Sequence, residues 1–159
     1  MLFMGTECHT WGYWSPNADA NGDHRFDWHL AGDRIGLEMR RRVTDANNVR
    51  WGHPALRSDS AQWTFADATN QVVAFKRWDG NGDVVLTIVN LSDGQWSHGE
   101  YGVGTGDAAG TWEEIFNSQA PQYGGWDGAG NYGAHKSVQP DTKIYINLPQ
   151  WSVLMFPKV

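Results

Sequence analysis

The chain has 159 residues and a formal net charge of −6. This length corresponds to about one domain, and the acidic balance argues against a nucleic-acid partner, because phosphate binding requires clustered Lys and Arg. The single cysteine, Cys8, excludes an internal disulfide framework and a cysteine-based zinc site. No apolar run approaches the ~20 residues of a membrane span, and residues 1–4 lack the features of a signal peptide. We therefore expect a cytoplasmic protein without a membrane partner.

Ten tryptophans and 19 glycines are the unusual features of the composition. Many aromatic residues together with many glycines indicate β structure with elaborate loops. An exposed indole can also stack on the apolar face of a sugar ring while neighbouring polar groups bind the hydroxyls. Because tryptophan also lies in protein cores, the composition favours a carbohydrate ligand only modestly.

The first third of the chain predicts a strand, a long loop and one helix. Residues 1–7 form a continuous apolar run, which is typical of a strand buried on both faces, and residues 8–33 have loop composition. Residues 32–48 predict the helix, with Asp33 as its N-cap. Its apolar stripe consists of Ile35, Met39, Val43 and Ala46. We expect this stripe to pack on the rest of the protein and residues 40–42, three arginines, to face solvent.

The rest of the chain predicts an all-β unit. In the stretch 71–92, two runs rich in β-branched residues flank a short polar break, which predicts two central antiparallel strands joined by a tight hairpin. Further predicted strands are 62–67, 97–104, 110–117, 142–148 and 152–156, and residues 121–135 form a glycine-rich loop. Evenly spaced strands predict a mainly β fold, an antiparallel β-sandwich. The expected core comprises Val72, Phe75, Leu86, Ile88, Trp112, Phe116, Ile146, Leu154 and Phe156, with Trp63 and Trp78 as further candidates.

The polar break of the hairpin also has the opening spacing of a calcium loop, in Asp79, Asn81 and Asp83. Such a loop needs a glycine where this chain has Val84 and a bidentate glutamate where it has Asn90. A hairpin turn is the better interpretation, and no metal site is predicted.

Paired carboxylates of the kind that glycosidases use are not evident in the sequence. Glu113 and Glu114 are neighbours on a predicted strand, so their side chains point to opposite faces. Asp19, Asp23 and Asp27 lie in the predicted loop, where spacing does not exclude them. No catalytic residue is assigned.

A series of short motifs occurs along the chain in a characteristic order. They are MLFMGTE (1–7), FDWHL (26–30), the predicted helix, HPAL (53–56), VVAFKRW (72–78), VVLTIVNLS (84–92), GTWEEIFNSQAPQYGG (110–125), GAGNYG (128–133) and LPQWSVLMF (148–156). This succession resembles the C-terminal end of glucan branching enzymes and their relatives in the α-amylase superfamily. The first motif looks like the eighth strand of the catalytic barrel, the helix like the last barrel helix, and the later motifs like the C-terminal all-β domain.

The resemblance implies that residues 1–50 are the end of a (β/α)₈ barrel and residues 51–159 the C-terminal all-β domain. In the family, the catalytic carboxylates follow barrel strands four, five and seven, and no residue of this chain matches them. The resemblance therefore implies a non-catalytic part of a branching enzyme-like transferase in glycogen- or starch-type glucan metabolism. It would brace the barrel and flank the glucan cleft. The implied partners are α-1,4/α-1,6-glucan and the catalytic barrel, and no cofactor is expected.

Five residues are the candidates for contact with glucan. The resemblance implies that the loop carrying Asp27 and Trp28 borders the acceptor side of the cleft. Trp11, Trp14 and Trp126 lie in predicted loops and could stack on sugar rings. In the alternative function, a free-standing carbohydrate-binding module, exposed tryptophans from this set would be the binding platform.

Overall fold

The computed structural model of the chain describes residues 5–9, 26–107, 109–125, 130–131 and 134–159. The helices are α1 (Trp28–Gly32) and α2 (Arg34–Gly52), and 3-10 turns occupy Thr6–Cys8, Pro54–Arg57 and Pro121–Tyr123. The strands are β1 (Ala61–Asp67), β2 (Val72–Trp78), β3 (Val84–Asn90), β4 (Trp96–Gly104), β5 (Thr111–Glu113), β6 (Phe116–Asn117), β7 (His135–Ser137), β8 (Lys143–Leu148) and β9 (Ser152–Pro157). Within these described residues, no helix is both long and apolar enough to cross a membrane.

The predicted hairpin is the centre of a five-stranded sheet in the order β1-β2-β3-β9-β6. β2 and β3 pair without a register break from Trp78↔Val84 to Val72↔Asn90. The turn is closed by the carboxylate of Asp79, which accepts hydrogen bonds from the backbone N–H groups of Asn81 and Asp83 at 3.0 and 2.8 Å. The hairpin interpretation of this segment is confirmed.

Two smaller antiparallel sheets, β4-β8 and β5-β7, complete the β-domain. The residues that alternate inward from the five-stranded sheet pack against those of β4 and β8. This core contains Val72, Ala74, Leu86, Ile88, Tyr101, Val103, Trp112, Ile144, Ile146, Leu148, Leu154 and Phe156. The predicted antiparallel sandwich is confirmed, with layers of unequal size.

Three aromatic residues were expected in the core and are not buried there. Phe75 is half-buried on the outer face, because side chains alternate along a strand and Val72 and Ala74 already point inward. Trp63 is 69% exposed, beside a β-bulge in edge strand β1, and its ring meets Phe75 edge-on at 5.5 Å. Trp78, at the end of β2, is only half-buried.

The predicted strand 110–117 is divided between two sheets. β5 pairs with β7, whereas β6 pairs with β9 in the five-stranded sheet. The chain changes sheets at Glu114, whose side chain is 2% exposed. β7 itself begins at His135, the last residue of the predicted glycine-rich loop, and was not predicted.

The predicted helix exists and begins as expected. The Asp33 side chain accepts a hydrogen bond from the backbone N–H of Gly36 at 2.7 Å, so the predicted N-cap is confirmed. α2 continues past the predicted end to Gly52, and Pro54, which cannot continue a helix, follows directly. The short helix α1 was not predicted, and it packs against α2 at Gly36, where an added Cβ would collide with the carbonyl oxygen of Leu30.

The apolar stripe of α2 is only part of its docking face. Ile35 is 49% exposed, contrary to the expectation that it packs on the sandwich. Met39, Val43 and Ala46 are half-buried. The helix is held to the β-domain chiefly by polar side chains, which a search for apolar periodicity does not detect.

The strand predicted for residues 1–7 is not seen where the structure describes the chain, because Thr6–Cys8 is a 3-10 turn. Cys8 is buried. Residues 1–4 and 10–25, with much of the predicted long loop, lie outside the described residues.

Candidate functional site

The candidate site is the contact region between α2 with its following 3-10 turn and the β-domain, which we call the junction. Its first anchor is Tyr123, in the 3-10 turn after β6. The Tyr123 hydroxyl donates to the Asp45 carboxylate on α2 at 2.7 Å. Burial, reinforced by this hydrogen bond, raises the pKa of Tyr123 to about 12. The hydroxyl therefore stays protonated, and able to donate, at neutral pH.

Arg42 completes this anchor from the helix side. Its guanidinium donates to the Tyr123 carbonyl oxygen at 3.0 Å and lies 5.8 Å from the centre of the Tyr123 ring. The expectation that all three arginines of the run 40–42 face solvent is wrong for this one, whereas Arg40 and Arg41 are exposed. A guanidinium suits the place because it offers several donors in one plane and can also pack on an aromatic face.

The motif NSQAPQYGG supplies the backbone that presents Tyr123 to the helix. Asn117 accepts the backbone N–H of Gln119 at 2.8 Å, and Ser118 accepts that of Val153 on β9 at 2.8 Å. Gly124 has φ +71° and lies against the Glu38 carboxylate of α2, so a side chain there would be strained and would clash. The motif is thus explained by turn chemistry and close approach to the helix.

The second anchor is Asp83, at the end of the β2–β3 turn. One carboxylate oxygen lies 2.9 Å from Nδ1 of His53, the C-cap of α2, and the other accepts the N–H of Ala55 at 2.9 Å. On β2, the strand before this turn, Arg77 donates to the carbonyl oxygens of Leu56 and Ser58. The hairpin therefore holds the segment by which the chain leaves the helix.

An apolar contact lies between these two polar anchors. Ala55 and Leu56, from the 3-10 turn after α2, are buried against Val85 on the outer face of β3. Val49 of α2 and Met155 of β9 pack around them. This cluster is separate from the sandwich core and meets β3 at Val85, near the β2–β3 turn.

A buried polar network lies next to the Tyr123 turn. One oxygen of Glu114 accepts the backbone N–H and the side-chain amide of Asn131 at 3.1 and 2.9 Å. Asn131 in turn exchanges two hydrogen bonds with the backbone of Asn147 on β8. The other Glu114 oxygen has no hydrogen-bond partner among the described residues, and burial raises the pKa of Glu114 despite the Asn131 bonds. Phe116 and Tyr123 line a cleft of about 290 Å³ beside this network.

The structure describes two of the five residues that the sequence nominated for glucan contact. Asp27 is the N-cap of α1, and its carboxylate accepts the N–H groups of His29 and Leu30 at 2.9 and 3.1 Å. Trp28 begins the helix and is 79% exposed, with its ring edge-on to Phe26 at 4.5 Å. Trp11, Trp14 and Trp126 lie outside the described residues, so the structure does not bring the five together.

The sequence did not predict that the junction residues join α2 to the β-domain. A signal was present in the motif 110–125, where proline, tyrosine and two glycines within five residues indicate a constrained turn. Asp83 was noted only as a turn residue of the hairpin, and Asp45 had no such signal, because a single carboxylate on a helix is usually solvated. No three His, Cys, Asp or Glu side chains of the described residues form a group that could hold a metal ion.

Comparison with known proteins identifies the β-domain. Residues 63–159 match the family described as "Alpha amylase, C-terminal all-beta domain". The chain belongs to this family. Its fold and its place in the α-amylase superfamily are therefore as the ordered motifs predicted.

The curated relatives include glucan branching enzymes from several bacteria. The chain is 37% identical over 131 residues to 1,4-alpha-glucan branching enzyme GlgB 2 of Xanthomonas campestris pv. campestris strain 8004, with 79% of this chain and 17% of the relative covered. It is 31% identical over 164 residues to the corresponding enzyme GlgB of Mycobacterium sp. strain JLS, with 99% and 20% covered. The chain therefore corresponds to about a fifth of the length of such enzymes or less.

Solved structures of similar fold include an alpha-amylase and a module of a glycogen-degrading protein. The alpha-amylase from H. orenii superposes with a TM-score of 0.56 over 92% of this chain and 25% of its own, at 17% identity. The catalytic module of the multi-modular glycogen-degrading pneumococcal virulence factor SpuA gives a TM-score of 0.55 over 87% and 21%, also at 17% identity. At this identity the likeness establishes the fold.

Proposed function

We propose that this chain is the non-catalytic C-terminal part of a cytoplasmic protein related to glucan branching enzymes. Residues 1–50 belong to the end of a catalytic barrel, and residues 51–159 form the β-domain that braces it. Its partner is the rest of the barrel, and its substrate context is α-1,4/α-1,6-glucan of the glycogen or starch type.

The junction is the observation that carries this proposal. A domain that braces another must hold the neighbouring element by contacts that fix position, and hydrogen bonds to charged groups do so because they are directional. Tyr123 and Asp83 hold α2 at two separate points, through Asp45 and through the backbone after its C-terminus. The domain therefore has the means to fix the orientation of the helix that precedes it.

We further propose that Trp28 flanks the glucan cleft of the assembled enzyme. The flat, exposed indole suits stacking on a pyranose ring, and Asp27 holds the first turn of α1 that presents it. Two uses of the same carboxylate, capping and sugar contact, are compatible, because an ionised carboxylate has about four acceptor sites.

Incubation with amylose tests the non-catalytic assignment. The purified full chain is expected to leave the iodine colour of amylose unchanged and to create no α-1,6 branch points above a heat-denatured control. New branch points formed by the chain alone would overturn the proposal, and a full-length branching enzyme serves as the positive control.

A further inference from the structure

We propose that the β-domain has a second carbohydrate-binding site, in a cleft built around Trp151 at the end of the β2–β3 hairpin opposite its turn. We call it the end cleft. It has a volume of about 440 Å³ and is lined by Thr69, Asn70, Gln71, Ser92, Asp93, Gly94, Trp96 and Trp151. That volume is within the range of small-molecule sites, about 300–1,000 Å³.

Three connections meet to form the end cleft. They are the β1–β2 turn, the segment after β3 and the turn between β8 and β9. The N–H of Trp151 donates to the Ser92 carbonyl at 3.0 Å, and that of Leu91 donates to the Gln71 carbonyl at 3.0 Å. Backbone hydrogen bonds therefore join the three connections that form the walls of the cleft.

Two buried or capping side chains fix these connections before any ligand arrives. Asn90, 1% exposed, donates to the carbonyls of Gly94 and Pro149 at 2.8 Å each and accepts from Ser92. Asp67 accepts the backbone N–H of Asn70 at 3.1 Å and its side-chain amide at 2.8 Å. A preformed cleft loses little conformational freedom on binding, which favours affinity.

Trp151 is placed as a platform rather than as a core residue. It is 58% exposed, although it directly precedes the closing strand β9. Its backbone has φ +47°, and Gln71 across the cleft has φ +57°. Left-handed backbone at residues other than glycine costs free energy, and such strain is concentrated at functional sites. An exposed indole in a strained turn is expected where the ring serves a ligand.

The chemistry of the cleft indicates the class of ligand. Amide and hydroxyl side chains surround the indole, and Asp93 is the one charged side chain among the described lining residues. Because no Lys or Arg is among the described lining residues, they offer no counter-charge to phosphates and other anions. A neutral ring with an apolar face and a rim of hydroxyls matches both the indole and the polar rim. The assignment of α-glucan as that ligand rests on the proposed function.

Electrophoresis of the full chain through gels with and without glycogen tests the site. We choose Trp151→Gly because glycine adopts the left-handed backbone without strain, so the turn is retained. The matched control is Trp63→Ala, which removes a similarly exposed indole from the outer face of β1. Glycogen is expected to retard the wild type and the control equally, and the Trp151→Gly variant should bind at least tenfold more weakly.

Nuclear magnetic resonance of the wild-type indole N–H groups gives an answer that needs no variant. Titration with maltoheptaose is expected to shift the Trp151 signal and leave the Trp63 signal in place. The proposal is overturned if the wild type is not retarded, if Trp151→Gly is retarded like the wild type, or if another indole responds instead. The amylose assay measures branch points and does not depend on binding at the end cleft. Failure of the end-cleft proposal can therefore be distinguished from failure of the non-catalytic assignment.

Discussion

At the scale of single residues, the buried carboxyl of Glu114 shows what the sequence could and could not predict. The adjacent pair Glu113 and Glu114 was expected on opposite faces of one strand, and Glu114 is buried whereas Glu113 remains half-buried. That Glu114 would bind the distant Asn131 was not predictable, because the two are 17 residues apart and no local period relates them. A contact of this kind depends on how the loops close.

Glu114 is expected to make folding stability depend on pH. Burial raises its pKa in the folded state above the unfolded value of about 4.3. The folded state then binds the proton more tightly, so the free energy of unfolding falls as pH rises from the unfolded pKa through the folded one. In Glu114→Gln this decline should be smaller. Thermal unfolding of both proteins between pH 4 and pH 8 measures it, with Glu113→Gln as the neighbouring control. Parallel pH profiles for wild type and Glu114→Gln would contradict the prediction.

At the scale of elements, the sequence predicted those parts in which one local period determines the structure. The hairpin β2–β3 and strands β1, β4, β8 and β9 follow from alternation and turn residues, and the start of α2 follows from the Asp33 cap. The stretch 110–117 alternates well, yet its two halves belong to different sheets. No local pattern marks the residue at which the chain passes from one sheet to the other. α2 docks through polar contacts and Val49. Ile35, which the apolar stripe placed at the interface, is exposed instead.

The Tyr123 anchor is expected to contribute measurably to the stability of the junction. Tyr123→Phe removes the hydroxyl that donates to Asp45 and keeps the ring, so the free energy of unfolding should fall by roughly 1–2 kcal/mol, typical of a partly buried bond to a charged group. Denaturant unfolding measures this. When Asp45→Ala is added to the Tyr123→Phe variant, the free energy of unfolding should fall little further, because the hydrogen bond is already lost.

The chain contains a matched control for this anchor. The Tyr145 hydroxyl on β8 donates to the Asp141 carboxylate at 2.8 Å, close to the 2.7 Å of the Tyr123–Asp45 bond, but this pair is exposed at the surface. Tyr145→Phe is therefore expected to leave stability unchanged, as solvent competes for an exposed bond. Equal effects of the two Tyr→Phe changes would show that the junction is no stronger than a surface contact.

At the scale of the whole molecule, the order of the motifs predicted more than any single motif. Each was weak alone, but together they predicted the family to which residues 63–159 belong and the sandwich that the chain forms. The division into 1–50 and 51–159 stays a prediction. The structure adds that the junction links the helical part to the β-domain by side chains from both.

Native-state hydrogen exchange of the full chain tests the central claim most directly, which is that α2 and the sandwich are one cooperative unit. If the junction holds the helix, the backbone N–H groups of α2 from Glu38 to Val49 should exchange with a free energy of opening close to that of β2 and β3. Tyr123→Phe should lower the protection of α2 more than that of the strands. Protected strands with α2 exchanging at the rate of an unstructured peptide would contradict the account.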